Sequence, residues 1–128
     1  MDRKLILTGI LLGVIAIVLG AFGAHALKDH LDVQQLATFE TGVRYQMYHA
    51  FFLLFIGLSN TISPKRKQTI LWLVVAGVVL FSGSIYLLAT QSATQINFKP
   101  IGFVTPIGGL LLIISWILLF ADIAGKKS

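Results

Sequence analysis

Three observations predict an all-α fold, a four-helix transmembrane bundle with an amphipathic elbow helix between spans one and two. First, the chain of 128 residues is 56% hydrophobic and only 12% charged, too apolar for a soluble domain whose surface must be wetted. Second, four apolar stretches, about residues 5–27, 43–62, 69–90 and 106–124, reach the roughly 20 residues needed to cross ~30 Å of hydrocarbon. Each must be helical, because lipid offers an open backbone no hydrogen-bond partners. Third, the formal net charge of +5 sits in short groups between the apolar runs, the pattern of topology signals. Nucleic acid is therefore not an expected partner. With no cysteine, disulfides, thiolate nucleophiles and thiolate metal sites are excluded. Residues 1–128 read as a single integral membrane domain.

Span one carries Gly9, Gly13, Ala16, Gly20 and Gly23 at spacings of 4, 3, 4 and 3, which puts five small residues on one seam. In lipid, helix association rests on close van der Waals approach, so the seam predicts a face packed against another helix of the bundle. A homodimer contact through Gly9 and Gly13 is the alternative. Ala50 with Gly57 in span two and Ala76 with Gly83 in span three recur at sevens and are candidates for the opposing surfaces. "DRK" and "AHA" resemble the ends of a cleaved leader. The apolar run between them is longer than a typical h-region, and three further spans follow it, so a membrane helix is expected.

The elbow, residues 32–42, opens on a well-formed helix start. Asp32 is the expected N-cap, Gln35 closes a capping box, and Leu31 with Leu36 makes the hydrophobic staple. Glu40 precedes Arg44 by four residues, a supporting ion pair, and the helix either continues into span two or bends at Gly42. Between spans three and four, Phe98 and Phe103 suit an interfacial loop. Thr105 and Pro106 form an expected N-cap and first-turn pair. At the far end, Asp122 stands four before Lys126 and predicts a second ion pair.

An even number of spans puts Arg3, Lys4, Lys65, Arg66, Lys67, Lys126 and Lys127 on one side, seven of the ten basic residues. Lys28, Arg44 and Lys99 fall on the other. The positive-inside rule then sets both termini and the "SPKRKQ" turn in the cytoplasm, as expected of a multi-pass protein of a bacterial inner membrane.

Counting depth from the cytoplasmic ends sets His25, Arg44, Thr90 and Thr105 near the outer boundary. The same count gives His49 and Ser82 a shared level, roughly 20 Å up. Tyr45, Gln46, Tyr48, Ser84 and Tyr86 stand around them, while the inner half offers little more polar than Thr8 and Asn60. Polar side chains in a membrane are costly and usually face the bundle, so His25, Arg44, Tyr45, Gln46, Tyr48, His49, Ser82, Ser84, Tyr86 and Thr105 form a candidate ligand-binding layer. The plainer reading makes Arg44 and the tyrosines interfacial anchors, with His49 bonded to Ser82 or to a backbone carbonyl. Bis-histidine haem through His25 and His49 is disfavoured, since their depths differ by about 10 Å. A cation exchanger would need a membrane-embedded carboxylate; none is present, since Asp122 at the inner end reads as an ion-pair partner. No catalytic triad, HExxH or phosphate loop is present.

"LGAFGAH" at 19–25, "FETGVRYQMYHA" at 39–50, "FSGSIYLLA" at 81–89 and "TPIGG" at 105–109, with Trp116 beyond, resemble the bacterial membrane proteins grouped as domain of unknown function 423, of the YgdD and YwdK type. That family is related to the eukaryotic transmembrane protein 256. The resemblance implies a four-helix bacterial inner-membrane protein without an established activity, so no catalytic residue is carried over. The leading expectation is a non-enzymatic protein that binds a lipid, quinone or partner helix through its outer half. The alternative is a small membrane enzyme or carrier using His49 as proton donor and acceptor. Cofactor, ligand and any homo-oligomer remain open at this level.

Overall fold

The computed structural model describes residues 1–126; Lys127, one of the bases counted for the inner side, lies outside them. Among the described residues every regular element is helical. Helix α1 runs Arg3–His25, α2 Val33–Leu58 and α3 Pro64–Val78. A five-residue π segment, Val79–Gly83, then joins α3 to α4, Ser84–Ala89. A short α5 (Gln91–Thr94) and a 3₁₀ turn (Lys99–Ile101) lead to α6, Val104–Ala124. Among the described residues, three helical stretches are long and apolar enough to cross a membrane: Arg3–His25, Pro64–Ala89 and Lys99–Ala124. Helix α2 is long enough but begins with a polar half.

Local chemistry sets the helix ends. Asp2 caps α1 by accepting from the backbone N–H groups of Lys4 and Leu5. At α2, Asp32 accepts from Gln35 N at 2.7 Å while Gln35 Oε1 accepts from Asp32 N at 3.0 Å, the reciprocal box read from the sequence. Ser63 caps α3, with Pro64 in its first turn. The expected cap at α6 is absent: Phe103 holds that position without a side-chain bond. Thr105 instead bonds Ser84 across the interface. A tertiary partner for the hydroxyl replaces the local one.

Helix α2 passes Gly42 without a break. This glycine makes room for a neighbour, because a Cβ there would lie 2.7 Å from the ring of Tyr86. Helix α1 packs along α2, and α6 along α3 and the π segment. At Gly108 a Cβ would lie 2.7 Å from the backbone carbon of Leu80, so α6 meets the π segment backbone to backbone.

The small residues of α1 face α2. A Cβ on Gly9 would lie 2.8 Å from the carbonyl oxygen of Ala50, one on Gly13 3.8 Å from the Ala50 methyl, one on Gly20 3.4 Å from Val43, and one on Gly23 2.9 Å from the ring of Phe39. Ala16 is fully buried. Gly57 in turn approaches Leu5 and Ile6. Ala76 and Gly83 do not oppose this seam: Ala76 is exposed and a Cβ on Gly83 would meet nothing within 4 Å. In span three it is Gly77 that packs closely, against Leu112 of α6.

Two apolar clusters result. The larger, at the end bearing the chain termini, joins Leu5, Leu53, Ile56, Ile70, Val74 and Leu112 among others. A smaller one at the opposite end holds Leu27, Leu31, Phe39 and Ala89.

Candidate functional site

Between the two clusters lies a layer of polar side chains that bond from helix to helix. Gln46 is its hub. Its Nε2 donates to the Leu12 carbonyl of α1 at 2.9 Å, and its Oε1 accepts from the Tyr86 hydroxyl of α4 at 2.7 Å. One side chain therefore ties three helices, and burial forces both ends of the amide to find partners. The Ser82 hydroxyl, fully buried in the π segment, donates to the Gly42 carbonyl at 2.8 Å. Ser84 bonds Thr105, which links α4 to α6.

His49 stands apart from that network and makes its own. Nδ1 lies 2.7 Å from the Tyr45 carbonyl one turn back, and Nε2 lies 3.0 Å from the indole N–H of Trp116. The carbonyl can only accept and the indole can only donate, so this pair selects the neutral imidazole with its proton on Nδ1. The Trp116 ring also stacks on Phe52, with centroids 4.0 Å apart. Helices α2 and α6 thus meet largely through three aromatic side chains.

His49 and Ser82 are not partners. Ser82 bonds Gly42, seven residues, about two turns, before His49 in α2. The depth count failed because it began at the edges of the apolar runs. Helix α2 actually ends at Leu58 and α3 begins at Pro64, so the turn between them is shorter and the register differs.

The remaining candidates scatter. His25 is the last residue of α1 and is exposed. Arg44 pairs with Glu40 at 3.4 Å on the exposed face of α2. Tyr45 and Tyr48 contact each other through their rings and face outward, and Tyr45 also packs on Phe81 at 5.1 Å. The pair expected near the end of span four is present: Asp122 lies 3.5 Å from Lys126 and 3.7 Å from Arg66.

A cleft of about 310 Å³ opens beside this aromatic group, lined by Tyr45, His49, Phe81, Gly109, Leu112, Ile113 and Trp116. Leu112 and Ile113 were not singled out from the sequence, since apolar residues in an apolar span carry no distinguishing signal. Phe81 and Trp116 had one: Phe81 opens the "FSGSIYLLA" motif and Trp116 stands beyond "TPIGG". Among the described residues no group of histidine, aspartate and glutamate is arranged to hold a metal ion.

Long apolar helices locked by side-chain hydrogen bonds in their interior define a small multi-pass membrane protein. Residues 19–109 match the family described as "Protein of unknown function (DUF423)", and the chain belongs to it. It is 43% identical over 119 residues to the UPF0382 membrane protein YwdK of Bacillus subtilis, covering 91% of this chain and 93% of the relative. It is 42% identical over 117 residues to a UPF0382 membrane protein of Staphylococcus saprophyticus, covering 91% and 93%. A UPF0382 membrane protein of Haemophilus influenzae shares 38% over 119 residues, covering 91% and 90%. No solved structure matches the chain.

Proposed function

We propose that this protein is a non-enzymatic four-span protein of a bacterial inner membrane, both termini cytoplasmic, that binds an amphiphile of lipid or quinone type in the cleft between α2, the π segment and α6. In this reading α2 is the fourth span, entered through its polar outer turns at 32–42. The observation that carries the reading is a division of labour in the outer half. The buried polar groups there are engaged with one another, while the cleft beside them is walled by Phe81, Leu112, Ile113 and Trp116. A mostly apolar wall with Tyr45 and His49 as its polar members suits a ligand that is mostly hydrocarbon or ring.

A second reading, His49 as proton donor and acceptor, draws on its position on the cleft wall. It requires Trp116 to release Nε2 first.

The chain has two tryptophans, so Trp72→Phe leaves Trp116 as the only indole. Titrating that variant in nanodiscs with a prenyl quinone should quench Trp116 saturably, and Gly109→Leu, which fills the cleft beside Phe81, should abolish the saturable part. Mass spectrometry after gentle extraction should recover a bound lipid or quinone. Quenching that stays linear and ignores Gly109→Leu, with nothing co-purified, would overturn the proposal.

A further inference from the structure

The end of the molecule that carries the termini offers a second, chemically different feature. A recess of about 330 Å³ is lined by Ser63, Lys65, Arg66 and Thr69 alone. All four are polar and two are cations. The nearby carboxylates are already engaged: Asp2 caps α1 and accepts from Gln68, and Asp122 is shared between Arg66 and Lys126. Asp122 contacts Arg66 through Nε, which orients the guanidinium and leaves its terminal N–H groups for another acceptor. Lys65 is exposed and takes part in no ion pair among the described residues.

Below the recess the same face of the helix turns apolar. Lys65, Thr69, Trp72, Ala76 and Val79 follow at spacings of 4, 3, 4 and 3, a single stripe at helical period. Trp72 is 65% exposed and Val79 62%, with exposed Ala76 making a shallow place between them. Among the described residues no helix covers the stripe. A cationic recess that runs directly into an exposed apolar track is complementary to one class of molecule in a bilayer.

We infer that this face binds an anionic phospholipid, with its phosphate between Lys65 and Arg66 and an acyl chain along Trp72, Ala76 and Val79. Charge complementarity favours an anionic headgroup over a zwitterionic one. Inorganic phosphate shares the headgroup chemistry but gains nothing from the stripe. The inference needs only that Pro64–Ala89 crosses a bilayer; it is independent of the cleft and of which leaflet this end faces.

Native mass spectrometry of the full chain, released from micelles containing equal phosphatidylglycerol and phosphatidylcholine, tests it. Phosphatidylglycerol should be retained over phosphatidylcholine, and Lys65→Gln should cut its retention about fivefold, the share of one surface cation. Trp72→Ala should also reduce it. The double variant Arg3→Gln, Lys4→Gln removes two charges at the same end but none from the recess, and should change retention less than about twofold if the site is local rather than diffuse. Equal retention of the two lipids would overturn the inference, as would an equal loss in the Arg3, Lys4 variant, which would mean diffuse attraction only. Complete displacement by excess inorganic phosphate would reassign the recess to a free anion.

Discussion

The indole of Trp116 donates to Nε2 of His49 at 3.0 Å, joining α6 to α2 where few backbone contacts do so. Because Nδ1 of the same ring faces the Tyr45 carbonyl, the imidazole has both nitrogens engaged. Trp116→Phe keeps an aromatic ring on Phe52 and removes only the donor, so it should cost about 1 kcal/mol, within the range of interhelical hydrogen bonds in membranes. His49→Phe should cost more, since it removes both hydrogen bonds of the ring and strands the indole N–H, while the Tyr45 carbonyl keeps its helical bond. His49→Gln retains a donor and an acceptor and should fall between wild type and His49→Phe in thermal unfolding in detergent. Equal losses for Gln and Phe would show that the hydrogen bonds carry little. In a deletion strain with a phenotype, complementation by His49→Gln would exclude acid–base chemistry at this residue, because an amide cannot shuttle a proton at neutral pH.

Along α1 the sign of a glycine substitution should change with position. Gly9→Ala drives a methyl toward the Ala50 carbonyl, 2.8 Å away, and the backbone cannot move aside cheaply; a loss of about 1–3 kcal/mol is expected. At Gly13 the nearest atom would be 3.8 Å away, ordinary contact, so Gly13→Ala should be neutral or stabilising by up to about 1 kcal/mol. Melting temperatures in a single detergent decide it: Gly9→Ala must melt below Gly13→Ala.

Orientation is testable because the protein has no cysteine of its own. Single cysteines at Lys65 and Asn97, both exposed and at opposite ends, should react differently with an impermeant thiol reagent on intact cells. Labelling is expected at 97 and not at 65. The reverse pattern would invert the proposed topology, and with it the use of the basic residues as an inner-side signal.

How much of this was legible beforehand depends on the range of the interaction. The Asp32–Gln35 box, the Glu40–Arg44 pair and the Asp122–Lys126 pair each lie within one helical turn, so the residues that interact are set by spacing alone. The partners of Ser82 and Thr105, and the indole that meets His49, lie on other helices. Counting depth gave His49 the level of Ser82 because the apolar runs do not mark where α2 ends and α3 begins. Ala76 and Gly83 were offered as packing residues on periodicity, yet a stripe of small residues reads the same whether it meets a helix or lipid.

By itself the sequence determined that this chain is an all-helical membrane protein, because apolar runs of this length can satisfy their backbones in lipid only as helices. It also determined the helix start at Asp32, whose side chain caps its own first turn. Only the tertiary structure decided that α1 packs on α2 through Gly9 and Gly23, that Gln46 bridges Leu12 and Tyr86, and that Trp116 holds His49. Those choices depend on register and rotation between helices, which are set by the summed fit of many side chains and by backbone approaches of under 3 Å at Gly9 and Gly108. No local pattern encodes that fit, since each partner is tens of residues away along the chain.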